Sequence, residues 1–215
     1  MLSQLQQRQR GVALVVVMIF VLALSALAAF SARNSSVGEK VARNQLDYQV
    51  ARQAAEAALR DAERDLLLVN GTMRTGALCA RGFARPVMDA VWAFTPTCET
   101  GQCTFPDSLY AAANYSNGTN SEPWWPVSKG GLWNNTFSGK PSREKGAVNC
   151  DTFTGGVTLG TFTGAPAMAG VSRQPEYLVE VFQRGTNIFF RVTGRGFGYS
   201  ANTEVVLQSY FKPFL

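Results

Sequence analysis

From Gly11 to Ala32 the chain runs for 22 residues without a charged side chain, GVALVVVMIFVLALSALAAFSA. A bilayer core about 30 Å thick is crossed by about 20 apolar residues in a helix, so this pattern predicts a membrane-spanning helix over 12–32. The leading residues MLSQLQQRQR carry Arg8 and Arg10 and no acid. The positive-inside rule therefore puts residues 1–10 in the cytoplasm and the rest of the chain outside. The period then changes. Between Glu39 and Val69 there is neither Gly nor Pro. Ala51, Ala55, Ala58, Leu59, Ala62 and Leu66 recur at spacings of three and four, while Arg52, Glu56, Arg60, Glu63 and Arg64 fill the other side. This predicts an amphipathic helix over 33–70, joined to the first through a short, weakly helical stretch, Arg33–Gly38. Ser36 and Glu39 have the spacing of a capping box, and Asn70-Gly71 offers a C-cap. The expectation is one long rod with a soft point near Gly38.

Residues 71–175 lose all long periodicity and are rich in Gly, Pro, Asn, Ser and Thr. Their strand-like runs are short, Ala90–Thr95 and Val157–Thr163. Residues 177–212 carry the clearest strand signals. Tyr177–Gln183, Ile188–Thr193 and Glu204–Lys212 are β-branched and aromatic, and Arg184-Gly185-Thr186-Asn187 is hairpin chemistry. With Gly194–Asn202 as a longer connection, a three-stranded antiparallel meander is expected. The sheet needs one face covered and the amphipathic helix needs an apolar partner. The fold class is therefore α+β, with the long N-terminal helix packed on a C-terminal antiparallel sheet.

Composition narrows the chemistry. The chain has 215 residues, the length of one domain or of one domain with an appendage, and no histidine. Ser-His-Asp and Cys-His nucleophilic machinery is thereby excluded. No carboxylate pair or metal-like acidic cluster stands out, Asp151 beside Gly155-Gly156 being too sparse for a calcium loop. No catalytic residue, metal or cofactor is assigned, and the chain is not expected to be an enzyme. The net charge of +5 comes from scattered Lys and Arg with no run, so nucleic acid is not an expected partner. Arg195-Gly196-Phe197-Gly198-Tyr199 matches the start of an RNA-binding signature, but it lies between the predicted strands and fails at Ser200, Ala201 and Asn202. Four N-glycosylation sequons, at Asn70, Asn114, Asn117 and Asn134, carry no weight in Asn- and Thr-rich loops.

All four cysteines, Cys79, Cys98, Cys103 and Cys150, fall outside the membrane span. An even count on the oxidising side reads as two disulfides. Three pairings are open. A tight Cys98–Cys103 loop, with Cys79–Cys150 closing a long one, is favoured. The spacing lacks the CxxC of a redox or zinc site. Trp124, Trp125 and Trp133 form a candidate partner surface, set against the alternative that they fill a small core under the loops.

A basic leader, Gly11, a charge-free helix and an amphipathic continuation resemble the type IV pilin superfamily. RGVALVVVMIFVLALSALAA, followed by ARNQLDYQVARQAAEAALRDAERDL over 42–66, resembles the N-terminal region of the PilX family of minor pilins. The distinctive positions are Ala42, Asn44, Ala51, Ala54, Ala55, Glu56, Ala57, Ala58, Leu59, Arg60, Ala62 and Glu63. RVTGRGFG and VVLQSYF resemble the endings of that family. The resemblance implies cleavage by prepilin peptidase between Gly11 and Val12 and N-methylation of Val12. It also implies that Val16 stands where most pilins carry a glutamate at the fifth mature residue. A buried carboxylate is costly unless paired, and a subunit with no neighbour above it has nothing for one to neutralise. That departure fits a tip-located or initiating subunit.

The resulting division is a leader over 1–11, a filament-core helix over 12–32, an amphipathic helix over 33–70, and a disulfide-stabilised globular domain over 71–215 with a meander over 177–212. The leading functional reading is a minor pilin that helps initiate and form the tip of a type IV pilus. The implied partners are other minor pilins, the major pilin, prepilin peptidase, the inner-membrane assembly platform and a large tip adhesin. The implied location is the inner membrane, by a single span with the globular domain periplasmic, and then the pilus tip of a Gram-negative bacterium. Two other readings stand beside it: a secreted or periplasmic binding protein with a signal peptide cut after Ala26-Leu27-Ala28, and an initiating pseudopilin of a type II secretion system.

Overall fold

The computed structural model describes residues 5–68, 73–81, 93–104, 124–125, 133, 150, 153–184 and 187–212; side chains are described from residue 12 onward, those of 182–184 excepted. The chain divides into two units, Met1–Leu46 and Asp47–Leu215.

The first unit holds the greater part of one helix, α1, which spans Leu5–Leu66. Val12, Leu14, Phe20, Leu22 and Phe30 are each 65% exposed or more. An apolar helix uncovered on every side needs lipid or other helices around it. Arg33–Gly38 is fully helical rather than a gap. The capping box does not form. The Ser36 hydroxyl donates to the Arg33 carbonyl at 2.9 Å, and Glu39 pairs with Arg43 one turn on. A cap satisfies orphan N–H groups only at a helix start, and α1 does not start there.

In the second unit, α1 ends at Leu66. The Leu67 and Leu68 N–H groups close on the carbonyls of Arg64 and Asp65 at 3.2 and 3.0 Å, tightening the last turn. Residues 69–72, with the expected Asn70-Gly71 cap, lie outside the described residues. The strands are β1 (Gln102–Thr104), β2 (Val157–Thr158), β3 (Glu176–Arg184), β4 (Asn187–Phe197) and β5 (Glu204–Phe211). β3, β4 and β5 form an antiparallel meander. The sheet as a whole is mixed, because β1 adds parallel to β3 while β2 pairs antiparallel further back along the same edge.

Two expectations are corrected, and a third lies partly outside the described residues. The run 157–163 is strand only at Val157–Thr158. Gly160 then turns the chain at φ +77°, and Asp61 of α1 accepts from the Gly160 N–H at 2.7 Å and from the Thr163 hydroxyl. Gly194–Asn202 is not all connection, since β4 continues through Phe197. Of the RNA-signature residues, Arg195, Gly196 and Phe197 therefore lie within a central strand, with Phe197 fully buried, while Gly198 and Tyr199 follow its end. Of the run 90–95, only the last three residues are described. Phe94 is buried against Phe190, ring centroids 5.7 Å apart, and Thr95 bridges Cys103.

One glycine explains why β4 can run so far. A Cβ on Gly196 would sit 2.2 Å from both the Ala51 carbonyl oxygen and the Ala55 nitrogen; equivalent atoms on Gly194 and Gly198 would meet the Ala55 carbonyl at 2.7 Å and Asp47 at 2.1 Å. Alternate glycines on one strand face thus admit the helix backbone directly. The facing residues Ala51, Ala54, Ala55 and Ala58 are fully buried. Further along, Ala58, Ala62 and Leu66 pack with Tyr177, Val179, Val181, Phe190 and Val192.

Candidate assembly surface and its scaffold

The residues with an expected role in assembly lie in the first unit. Gly11 is within the helical backbone of α1. Val12 is 65% exposed and Val16 45%. A window of 18 residues in this helix reaches a mean hydropathy of 3.0, and no charged side chain interrupts it from Val12 to Ala32. Burying such a helix among lipids or neighbouring helices removes large apolar areas from water, at about 25 cal/mol per Å².

The second unit is the scaffold. Cys79 joins Cys150 and Cys98 joins Cys103. Cys98 and Cys103 are fully buried and pack with Leu178, Trp133 and the half-buried Trp124. Trp133 is 1% exposed, and its indole N–H donates to Glu176 at 2.8 Å. It fills a small core and is not a partner surface. Trp125, half-buried, meets Trp124 edge-on at 6.2 Å. The sequons and Asp151 lie outside the described residues.

The sequence reading missed the buried charges. Beneath Trp133, on the sheet face away from α1, Glu176 faces Arg195 across β3 and β4 at 3.0 Å, and Glu180 faces Arg191 at 2.5 Å. On the helix side, Asp65 and Arg81 form a two-pronged ion pair, Nε to Oδ1 at 2.9 Å. Arg81 also donates to the Thr100 carbonyl, the Thr100 hydroxyl and Gln102 Oε1 at 3.1, 3.0 and 3.1 Å. Its guanidinium lies 3.6 Å from the centre of the Phe162 ring. The Tyr177 hydroxyl donates to Asp65 at 2.8 Å. Burial, then the charges of Asp65 and Asp61, push its pKa well up, which keeps that donor in place. Burial likewise raises the carboxyl of Asp61, against the opposing bonds from Thr163 and Gly160. At the other end of the unit Asp47 accepts from the Thr203 hydroxyl, and from the Ser200 N–H at 3.2 Å, which fixes the β4–β5 connection; the Thr203 bond holds its carboxyl low against desolvation, with help from the Ser200 and Tyr199 backbone.

A signal for these charges existed. Asp47, Ala51, Ala54, Ala58, Asp61, Asp65 and Leu68 follow one another at spacings of four and three, so the acids sit in the buried stripe and not on the charged face. Among the described residues no group of three or more His, Cys, Asp or Glu is arranged to hold a metal ion.

A membrane-type apolar helix that runs on into an α+β unit, with its small residues packed on a glycine-bearing strand, is the layout of a membrane-anchored pilin. Two family models match the chain: PilX N-terminal over residues 10–60, and the C-terminal part of the type IV pilus assembly protein PilX over residues 95–213. The chain belongs to the PilX family of type IV pilus assembly proteins. No curated protein and no solved structure matches it.

Proposed function

We propose that this chain is a minor pilin that starts assembly of a type IV pilus and remains at its tip, acting by subunit contact and not by catalysis. The observation that carries the reading is Val16. In a chain that both PilX models match, an uncharged residue occupies the place where the resemblance puts a glutamate, in a helix bare of charge from Val12 to Ala32. A subunit that never accepts another above it has no amine to pair with such a carboxylate. In this reading residues 1–10 are cytoplasmic, prepilin peptidase cuts after Gly11, and Val12 becomes the methylated N-terminus. The helix passes from the inner membrane into the filament core, while residues 71–215 make the specific contacts with other minor pilins, the major pilin and a tip adhesin.

The test is the molar ratio of this protein to major pilin in sheared filaments, with surface piliation of a deletion strain. The expected outcome is a trace component concentrated at one end and a strong loss of pili, with the major pilin still stable in the membrane. A ratio near one would make it a bulk subunit and defeat the tip assignment. Normal piliation with a secretion defect would point to a type II pseudopilus instead. The signal-peptide alternative has less support, because the N-terminal family match at 10–60 runs straight through residues 26–28. N-terminal sequencing decides between Val12 and a start near Ala29.

A further inference from the structure

We propose that the two disulfides are coupled through Arg81 into one redox-responsive lock on the last turns of α1. Cys79 lies two residues before Arg81, and its bond to Cys150 anchors the segment that carries the guanidinium. The acceptors other than Asp65 come from within or beside the Cys98–Cys103 loop: the Thr100 carbonyl and hydroxyl and the Gln102 side chain. Arg81 is 5% exposed, and Asp65 and Gln102 are each 1% exposed, so a misplaced partner leaves a charge without water to replace it.

The loop holds its acceptors in an unusual path. Cys98 and Thr100 have φ of +54° and +49°, in the left-handed region, and Gly101 follows at +78°. Non-glycine residues reach that region only where surroundings enforce it. The loop is enforced from three sides: the Thr100 N–H donates to the Phe153 carbonyl at 2.6 Å, the Gly155 N–H to the Cys98 carbonyl at 3.1 Å, and the Val179 N–H to the Gly101 carbonyl at 2.9 Å. The last of these is where β1 is set against β3. The Cys98–Cys103 cross-link is the fourth constraint on this path; once it opens, only the three hydrogen bonds resist relaxation of Cys98 and Thr100 to negative φ, which turns the Thr100 carbonyl away and deprives Arg81 of its acceptors in the loop. Releasing the Cys79 segment withdraws Arg81 and removes the loop's support from the other side. Either opening loosens the hold on Asp65, which keeps its bond from the Tyr177 hydroxyl, and with it the packing of Ala62 and Leu66. The lock closes only when both bonds are made, after the chain has reached an oxidising compartment.

The coupling is read from reduction kinetics of the full-length protein in detergent micelles, using dithiothreitol. Each protein disulfide takes up two electrons and two protons to become two thiols, while one dithiothreitol becomes its cyclic disulfide. Alkylation and peptide mass analysis report each pair separately. In the wild type Cys98–Cys103 is protected by burial and Cys150 is exposed. Cys79→Ser/Cys150→Ser and Arg81→Met should each speed reduction of Cys98–Cys103 about tenfold or more, as expected when a buried ion pair is broken and the region opens locally. Thr100→Val, which keeps the volume and removes only the hydroxyl, guards against a variant that fails to fold and should give a smaller acceleration of the same bond. Asp47→Asn perturbs the other end of the unit and should leave the rate unchanged. The proposal is overturned if either of the first two variants leaves the rate within about twofold of wild type, or if Asp47→Asn accelerates it as much as Arg81→Met. The readout is independent of pilus assembly, so its failure leaves the proposed function standing.

Discussion

Gly196→Ala is the sharpest probe of the helix–sheet contact. The added methyl carbon would lie 2.2 Å from the Ala51 carbonyl oxygen and 2.2 Å from the Ala55 nitrogen, and 2.8 Å from the Ala54 carbonyl carbon. All three are backbone atoms of a helix whose Ala51, Ala54 and Ala55 are fully buried, so no side chain can swing aside. Ordinary contact begins near 3.4 Å; the helix must therefore retreat by about an ångström. A gap of that size forfeits about a quarter to a half of each dispersion contact along the seam, and overpacking a rigid core costs about 1–3 kcal/mol, occasionally more. We expect a loss near the upper end, about 3 kcal/mol, equivalent to a fall of about 6–12 °C in the unfolding midpoint for a unit of this size. Urea titration of the full-length protein in micelles, followed by tryptophan fluorescence, measures it, since Trp133 is buried in the same unit. Gly38→Ala is the matched control: a Cβ there meets nothing within 4 Å, and relief of glycine's helix penalty should leave stability unchanged or raised by up to about 1 kcal/mol. Equal stability of Gly196→Ala and wild type, within about 0.5 kcal/mol, would refute the close approach.

Asp65→Asn leaves the Arg81 charge buried and should cost about 3–5 kcal/mol in the same titration, part of which Asp65→Asn/Arg81→Met should recover. Asp61 and Asp47 should give opposite pH dependences. The raised carboxyl of Asp61 means that the folded chain holds its proton more tightly, so its contribution is full below the unfolded value and is lost as pH rises through the folded one. The lowered carboxyl of Asp47 contributes above its unfolded value and loses that as pH falls through the folded one. On acidification from neutral, wild type should therefore gain stability relative to Asp61→Asn and lose it relative to Asp47→Asn; a flat difference in both would contradict the assignments. On the proposed tip reading, Val16→Glu should lower surface piliation more than Val16→Leu, because an unpaired buried carboxylate costs several kcal/mol, and immunoblots of sheared filaments would show it.

The helix was legible from its period and its lack of Gly and Pro between Glu39 and Val69, and the three meander strands from their β-branched and aromatic runs. What stayed hidden depended on contacts between distant segments. Gly194-Arg195-Gly196-Phe197-Gly198 reads as a loop by composition, since glycine weakens a strand with nothing packed on it. As far as Phe197 it becomes strand because Ala51 and Ala55 supply the missing contact. Val157–Thr163 reads as strand by propensity, yet turns at Gly160 because a helix carboxylate caps the turn. The buried acids in α1 carry no signal by composition, although their spacing places them in the apolar stripe. Arg81 has no local signal at all: its partners lie 16 and 19–21 residues away, in a helix and in a disulfide loop.

The two segments that resemble the family most closely, the alanine-rich stretch of α1 and the RGFG stretch of β4, are two sides of one contact. Each is odd alone. Alanines recurring at three and four give a helix little apolar area to bury, and alternate glycines give a strand none. Together they bring backbone against backbone, where the affinity comes from close packing along the seam and not from large side chains. Such a contact is intolerant of any added atom and so fixes one register of helix on sheet. On the proposed reading, in which the first unit passes from lipid to protein surroundings, a helix–sheet contact of fixed register keeps the second unit's geometry independent of that passage. The buried ion pairs serve the same end, since they hold only one arrangement of β1, β3 and β4 and exclude neighbouring registers by leaving a charge unpaired. The fixed register of α1 on β4 and the apolar surface of residues 12–32 are therefore separate properties, written into different stretches of the chain, and a substitution in one should leave the other intact.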